Sequence, residues 1–225
     1  FIQKDILSKH KSFRELGQDH PAVKSMGNRL LPQSRYNDIY LVHKFFTWTN
    51  ELIPNKFKDL TNDHPRMVIP FRDANGKVFA YQGRAFGEEQ PKYITIVLDQ
   101  NNQKIFGLDR VDDSRNIIIV EGPIDSFFLP NCIAVAQGDL RLPQYKTKST
   151  LVFDNEPRNR EIIKNIEKAI EEDYNVVIWP SDIEEKDIND MIISGLTNVE
   201  ITDIIHRNTF SGLQAKTKLS HWKKI

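Results

Sequence analysis

The sequence predicts an α/β protein with a parallel β-sheet in its second half, preceded by a smaller α+β part that contains a short antiparallel sheet. After residue 111, short apolar segments alternate with amphipathic helical patterns, which is typical of doubly wound parallel sheets. Between residues 66 and 97, three short strand-like segments follow one another. The first two are joined by Asn75-Gly76, a strong hairpin signal.

Composition limits the class of protein. The chain has 225 residues, of which 39% are hydrophobic and 28% charged, as in ordinary globular domains. No apolar run is long enough to cross a bilayer, and no signal-peptide pattern is present, so we expect no membrane association. The single cysteine, Cys132, excludes an intramolecular disulfide and a cysteine-rich zinc site within this chain.

The net charge of zero hides a strong division along the chain. Residues 1–110 carry +5, residues 111–207 carry −9, and residues 208–225 carry +4. A polar, acidic segment at 109–114 marks the boundary between the first two parts. We therefore predict an N-terminal subdomain over 1–110, a second domain over 111–207 and a basic tail over 208–225. This division suits a protein that holds a polyanion beside a metal site, although solvated helix faces often differ in sign by chance.

Secondary structure in the first half is predicted from local signals. Residues 1–29 have a loose helical stripe that Gly17 should interrupt, and a short helix should begin at Pro21 with Asp19 or His20 as its cap. The aromatic-rich segment 36–52 fits either a helix or a strand. Its rings could stack on bases, but core packing explains most of them better.

Cationic side chains accompany the three predicted strands of the first half. A short sheet with such side chains can bind phosphates, and charged side chains also protect exposed strand edges from aggregation. The candidate nucleic-acid or nucleotide contacts are Arg66, Arg72, Arg84, Lys92 and Lys104.

In the second half, four apolar segments predict strands of one parallel sheet. The clearest is 117–120, whose uninterrupted β-branched residues are typical of a strand buried on both faces. The others lie at 133–136, 151–153 and 176–179, with helices expected over 158–174, around Met191 and over 199–206.

Acidic residues follow three of these strands. Because the carboxyl ends of parallel strands share one edge, we expect these acids to converge there. Carboxylates without histidine or cysteine favour Mg²⁺ or Mn²⁺, and a pair of such ions recurs in phosphoryl transfer. Three independent helix caps are the alternative. The candidate metal ligands are Glu121, Asp125, Asp154, Glu156, Asp187 and Asp190.

The same residues resemble a known family. Glu121-Gly-Pro-Ile-Asp125, Asp154-Asn-Glu156 and Lys186-Asp187 are similar to the motifs of the toprim domain. The segments at 20–23, 66–73, 83–84, 91–93 and 106–108 resemble the part of the primase RNA-polymerase core that lies before toprim. Together they resemble bacterial and phage-type DNA primases, in particular those of T-even-type tailed phages, over roughly residues 19 to 195.

This resemblance implies a toprim-like sheet and residue roles. Glu121 would act near the attacking 3′-hydroxyl, as general base or through a metal, and Asp154 and Glu156 would hold metal, making these three the catalytic residues. Asp125 and Asp187 would support them. Two positions depart from the family pattern: Glu156 stands where an aspartate is usual, and Asn189 stands where a second aspartate is usual, so Asp190 could substitute.

The implied activity is template-directed synthesis of short RNA primers from ribonucleoside triphosphates on single-stranded DNA, with Mg²⁺ or Mn²⁺, two ions being expected. A replicative helicase would be a partner, and the location would be cytoplasmic, in a bacterial host if the chain is phage-encoded. The family's zinc-binding module is expected to be absent from this chain. A toprim nuclease and a catalytically degenerate DNA- or helicase-binding module remain alternatives. The lysine-rich tail with Trp222 would contact DNA or helicase, or be a disordered end.

Overall fold

The structure is a computed structural model that describes residues 5–136 and 138–225. It contains two compact units, the first ending at Asp109 and the second beginning at Arg110. Each unit is built on its own β-sheet, and the chain is a mixed α/β protein, as the sequence predicts.

The first unit contains a five-stranded antiparallel sheet in chain order β1 to β5. Its strands are β1 (Lys11–Ser12), β2 (Tyr40–Val42), β3 (Arg66–Arg72), β4 (Val78–Ala85) and β5 (Tyr93–Val97), with a further short strand β6 (Ile105–Phe106). Its α-helices are α1 (Phe13–Leu16), α2 (Pro21–Ser25) and α3 (Phe45–Leu52), and 3₁₀ turns span Gly27–Arg29 and Gln33–Asp38. The hairpin at Asn75-Gly76 joins β3 to β4, as expected.

The helical stripe expected before Gly17 forms only the short helix α1 within the described part of that range, and residues 1–4 lie outside it. The short helix expected to begin at Pro21 is confirmed as α2. A capping box starts α1 late: Ser12 Oγ accepts a hydrogen bond from the Glu15 N–H at 3.2 Å, and the Glu15 carboxylate accepts one from the Ser12 N–H at 2.7 Å. Gly17, at φ +80°, ends α1 one turn later. The expected cap at His20 is confirmed, since its Nδ1 accepts a hydrogen bond from the Ala22 N–H at 3.2 Å.

The aromatic segment forms β2 and α3, and its large rings build the core of the first unit. Phe45 and Trp48 are buried against Tyr81 of β4, whose hydroxyl donates to Thr49 Oγ1 at 2.9 Å. Gly83 lies against the Phe45 ring so closely that a methyl group at this position would overlap it. These rings therefore serve core packing, not base stacking.

The five candidate cations of the first sheet fall into different environments. Arg66 is fully buried, and its guanidinium donates to the carbonyl oxygens of Gly83, Pro91 and Lys92 at 3.2, 2.9 and 3.2 Å. It also lies over the Phe45 ring, 5.5 Å from the ring centre. No surface of Arg66 is left for a phosphate, and the structure favours a structural role for it.

Arg84 is also largely withdrawn from solvent, being 6% exposed. Its Nε donates to the Tyr93 hydroxyl at 3.1 Å, and its Nη1 lies 3.1 Å from Met26 Sδ. Arg72 is half-buried and donates to the Gly76 carbonyl at 3.0 Å, whereas Lys92 and Lys104 are exposed. Among the five candidates, the exposed cations are therefore the two lysines.

The second unit is built on a sheet in the order β11-β10-β9-β7-β8, in which β11 alone is antiparallel to its neighbour. Its strands are β7 (Ile117–Val120), β8 (Cys132–Val135), β9 (Ser149–Val152), β10 (Asn175–Val177) and β11 (Thr209–Phe210). Its helices are α4 (Pro123–Ser126), α5 (Arg160–Glu171), α6 (Ile188–Ser194), α7 (Asn198–Arg207) and α8 (Gly212–Trp222), with a 3₁₀ turn at Pro143–Lys148. The four predicted parallel strands are confirmed within one or two residues. β7 is buried along its whole length.

The segment from residue 208 onward differs from the separate basic tail that the sequence predicts. It forms β11 and α8, which belong to the second unit, and Trp222 is only 9% exposed. Ala215 and Leu219 of α8 are buried with it. The helical spacing of these three residues gives α8 an apolar face, which packs against the unit despite its lysines.

No helix within residues 5–136 or 138–225 is both long and apolar enough to cross a membrane.

We predict that Arg66→Met destabilises the first unit by roughly 2–5 kcal/mol, because three backbone carbonyls lose a charged donor that they share inside the protein. Arg72→Met is the matched control, since Arg72 is half-buried and donates to one carbonyl. Chemical denaturation of both variants measures the difference. Unchanged stability of Arg66→Met together with weakened DNA binding would contradict the structural role of Arg66.

Candidate active site

The acidic residues of the second unit meet at the carboxyl edge of its parallel sheet. The strands β7, β9 and β10 are adjacent, so the residues that follow them leave the sheet side by side. Glu121 follows β7 directly, and its Oε1 accepts a hydrogen bond from the Asp154 N–H at 3.3 Å. This contact links the first acidic motif to the second across neighbouring strands.

The glycine after Glu121 permits the close approach of the next acid. A Cβ at Gly122 would stand 2.6 Å from Asp125 Oδ2, too close for any side chain. Asp125 lies in α4 and accepts a hydrogen bond at Oδ1 from the Asn189 N–H at 2.9 Å. Asp187 begins the same helix as Asn189, α6, by accepting from the Asp190 N–H at 2.7 Å. Asp125 thus joins the first acidic strand end to the start of α6.

Burial and mutual repulsion raise the pKa of three of these carboxyl groups. Burial is the main cause for Glu121, with a further contribution from Glu156. Burial and the charge of Glu121 raise the pKa of Asp154 to about 7. Burial, followed by the charge of Asp187, raises the pKa of Asp125 well above its usual range. Such shifts are found where like charges are held together, and often at functional sites.

Lys186 provides positive charge at this acidic edge. Its Nζ lies 2.7 Å from Glu156 Oε1 and 3.7 Å from Asp154 Oδ2. Glu156 also accepts a hydrogen bond from Asn159 Nδ2 at 2.6 Å. The hydrogen bonds from Lys186 and Asn159 lower the pKa of Glu156. Glu156 is therefore a stably charged carboxylate on the outer side of the site, unlike the more buried Glu121 and Asp154.

A cleft of about 600 Å³ opens over this edge of the second unit. Glu121, Asp154, Glu156 and Lys186 line it, and the start of α5 forms part of its wall. A second void of about 10 Å³ lies deeper. The carboxylates that line this void are Glu121, Asp125, Asp154 and Asp187.

The donor chemistry of this edge fits a hard divalent cation. All of its acidic side chains offer oxygen, which Mg²⁺ and Mn²⁺ prefer, and the deeper void has about the volume that one water-sized group occupies. Among residues 5–136 and 138–225, no three Asp, Glu, His or Cys side chains are grouped as a preformed metal cage. Mg²⁺ commonly uses only one or two carboxylates, with water and substrate phosphates completing its shell, so the residues fit such an ion.

Sequence reasoning missed three residues of this site. In the sequence, Lys186 stands out only as part of a motif, although a cation beside Asp187 is a visible signal of charge compensation. The sequence predicts no role for Asn155 or Trp179. Trp179 Nε1 donates to the Phe153 carbonyl at 2.9 Å, which fastens the end of β9 immediately before Asp154. A tryptophan at the end of an apolar strand gives no sequence signal for such a contact.

Comparison with known proteins identifies the relationship of this chain. No protein-family model matches it. It is 37% identical over 216 residues to a DNA primase of Enterobacteria phage T4, an alignment that covers 94% of this chain and 63% of the phage protein. The chain therefore spans less than two thirds of that relative's length.

Solved structures show a similar fold. A DNA primase domain from Pseudomonas aeruginosa matches 88% of this chain and 75% of its own with a TM-score of 0.65 at 16% identity. The RNA polymerase domain of Mycobacterium tuberculosis primase DnaG, in complex with a double-stranded DNA oligomer with a 6-nucleotide overhang, matches 87% of this chain and 76% of its own with a TM-score of 0.63 at 16% identity. Sequence and fold agree: the chain is similar to the T4 DNA primase over nearly its whole length, and its fold is that of solved primase domains.

Proposed function

We propose that this chain is the catalytic core of a DNA primase, which joins ribonucleoside triphosphates into short RNA primers on a single-stranded DNA template. The observation that carries the proposal is the meeting of Glu121 and Asp154 at one sheet edge, in a cleft, with raised pKa values. The relationship to the T4 primase supports the choice of primase over other activities of acidic α/β sites.

The proposed chemistry follows from the positions of the acidic residues. Glu121 and Asp154 are the first candidates to hold Mg²⁺ or Mn²⁺, with Asp125 and Asp187 behind them and Glu156 on the outer side. Two bound ions would supply polarisation of the α-phosphate and a lower pKa for the attacking hydroxyl. Burial raises the pKa of Glu121, which brings its carboxylate closer to the range in which it can accept that proton.

Lys186 has a separate proposed role at the mouth of the cleft. Its ammonium group is half exposed and offsets the charges of Asp154 and Glu156. A triphosphate entering the cleft would bring negative charge towards this ammonium group, and Lys186 is the cation placed to contact it. Asp190, whose backbone N–H is bound by Asp187, remains a predicted reserve ligand.

The template contacts are assigned to the exposed lysines of the first unit. Lys92 and Lys104 are exposed, whereas Arg66 and Arg84 are buried by backbone and ring contacts. The M. tuberculosis domain, which has the same fold, was solved with DNA, and this supports DNA as the ligand. A replicative helicase and a cytoplasmic location in a bacterial host are further expectations from the T4 relationship.

We predict that Glu121→Gln lowers primer synthesis by roughly 10²–10⁴-fold, because it removes a charge from the reacting centre. DNA affinity should change little, since the substitution leaves the cationic sheet intact. Extension of labelled ribonucleotides on a template measures synthesis, and Glu171→Gln, an exposed change on α5, is the matched control. A substrate that is shortened by the wild-type protein would indicate a nuclease. Binding without Mg²⁺-dependent synthesis would indicate a binding module.

We predict that Asp154→Asn stabilises the metal-free protein at pH 8 by roughly 2–4 kcal/mol and has much less effect at pH 5. The pKa of Asp154 is raised to about 7 in the folded protein, so the folded state keeps this proton more strongly than the unfolded state. The stability that proton binding contributes is therefore lost as the pH rises through about 7.

Denaturation at pH 5 and pH 8, with and without Mg²⁺, tests this expectation. Mg²⁺ should stabilise the wild-type protein at pH 8 and stabilise Asp154→Asn less. The exposed change Asp203→Asn is the control. A wild-type advantage over Asp154→Asn at pH 8 without metal would contradict the repulsion inferred at this edge.

We predict that the double change Lys92→Ala, Lys104→Ala weakens DNA binding and lowers the salt dependence of log K by about 1–2, because each phosphate contact releases roughly one counterion. Lys58→Ala, an exposed change in the same unit, is the control. Titration of fluorescent single-stranded DNA at several salt concentrations measures both quantities. An unchanged salt slope would show that these lysines protect strand edges instead.

A further inference from the structure

We propose that Asn155 and Trp222 form a positioning pair, which holds the loop between β10 and α6 so that Lys186 and Asp187 stand beside Glu121 and Asp154. The inference rests on the function proposed above and adds two residues that do not touch the reacting groups. Asn155 lies between the two acids of the second motif, and Trp222 lies in the last turn of α8, far away in sequence.

Asn155 holds the loop through three hydrogen bonds. Its backbone N–H donates to the Lys186 carbonyl at 2.6 Å. Its side-chain Nδ2 donates to the carbonyls of Ile183 and Glu185 at 2.9 and 3.1 Å. Three carbonyls within four residues of loop are thus bound by one buried residue, directly before the residues that enter the site.

The outer side of this loop faces solvent, so the hydrogen bonds from Asn155 determine where the loop lies. A cleft of about 520 Å³ separates loop residues, including Pro180 and Glu184, from Lys218 and His221 of α8. Ser181 and Glu184 are exposed. A loop without close packing on its outer side depends on its hydrogen bonds to the rest of the unit, and Asn155 supplies three of them.

Trp222 sets the orientation of the Asn155 amide. The buried indole Nε1 donates to Asn155 Oδ1 at 3.1 Å. Because Oδ1 accepts from this donor, Nδ2 is directed towards the two loop carbonyls. The reversed amide would place its NH₂ group against the indole N–H and its oxygen against the two carbonyl oxygens. The indole therefore selects the amide orientation that the loop requires.

Helix α8 is itself fastened to the same part of the unit. The Lys224 N–H donates to the Pro157 carbonyl at 2.8 Å, next to the second motif. Lys223 Nζ pairs with Glu167 of α5 at 3.1 Å. These contacts hold Trp222 relative to Asn155 and explain how a helix at the end of the chain can act on the site.

The position of the loop determines the positions of several titratable groups of the site. Lys186 lies against Asp154 and Glu156, and Asp187 starts α6, whose Asn189 N–H binds Asp125. A displacement of the loop would move the cation and one acid away from the other carboxylates. Residues that orient metal-binding groups in this indirect way typically change metal affinity by 10–100-fold when replaced.

The decisive variant is Trp222→Phe, which keeps a buried ring and removes the donor to Asn155. The concentration of Mg²⁺ that gives half-maximal primer synthesis should rise roughly tenfold, and kcat should fall, with DNA affinity unchanged. The Mg²⁺-induced increase in Tm, measured without nucleotide or DNA, should shrink in parallel. Trp48→Phe, in the core of the first unit, is the matched control for loss of a buried indole.

Asn155→Ala and the double variant Asn155→Ala, Trp222→Phe complete the test. Because both residues act through the same loop, the shift in Mg²⁺ requirement should be no larger in the double variant than in Asn155→Ala alone. Additive shifts would overturn the pairing, as would a Trp222→Phe protein with the Mg²⁺ response of Trp48→Phe.

If Trp222→Phe does not fold, Asn155→Ala alone must raise the Mg²⁺ requirement, and an unchanged requirement overturns the proposal. A wild-type protein that neither makes primers nor gains stability from Mg²⁺ would refute the proposed function and this inference together. Primer synthesis that is unaltered in all three variants would refute only the positioning pair.

Discussion

The concentration of negative charge at one edge of a parallel sheet is the constraint on which the second unit depends. Parallel strands bring Glu121 and Asp154 to neighbouring positions, and their burial removes the water that would screen them. The raised pKa of Asp154, about 7, expresses the cost of that arrangement. The acids stay this close only where the surrounding structure prevents them from moving apart. The concentration of charge at this edge therefore requires the edge to be rigid.

Rigidity comes from elements that bear no charge. β7 is fully buried, and Trp179 binds the carbonyl of Phe153 at the end of β9. Gly122 allows Asp125 to approach, and the amide of Asn155 holds the loop that brings Lys186. Each contact uses a backbone carbonyl, N–H or Cα, which cannot rotate away as a side chain can. The acids are therefore held in place through the backbone.

Some of these features can be predicted from the sequence and others cannot, for physical reasons. Uninterrupted β-branched segments predict buried strands, and adjacent parallel strands then imply that Glu121 and Asp154 meet, as the structure bears out. A buried arginine such as Arg66 looks like any surface cation in sequence, because its partners are backbone carbonyls of distant residues. For the same reason, the contact between Asn155 and Trp222, which are 67 positions apart, cannot be predicted from the sequence. Side-chain to backbone contacts over long separations leave no periodic signal.

The two positions that depart from the toprim motifs that the sequence resembles, Glu156 and Asn189, act on the same electrostatic problem. Asn189 is 2% exposed and presents its N–H to Asp125, whose pKa is already raised well above its usual range. An acid at position 189 would add another buried charge beside Asp125 and Asp187, so a neutral amide relieves the most crowded layer. Glu156 reaches outwards to Lys186, and the pKa of Glu156 is lowered there. One departure removes a charge from the buried layer, and the other moves a charge to the outer layer where a cation meets it.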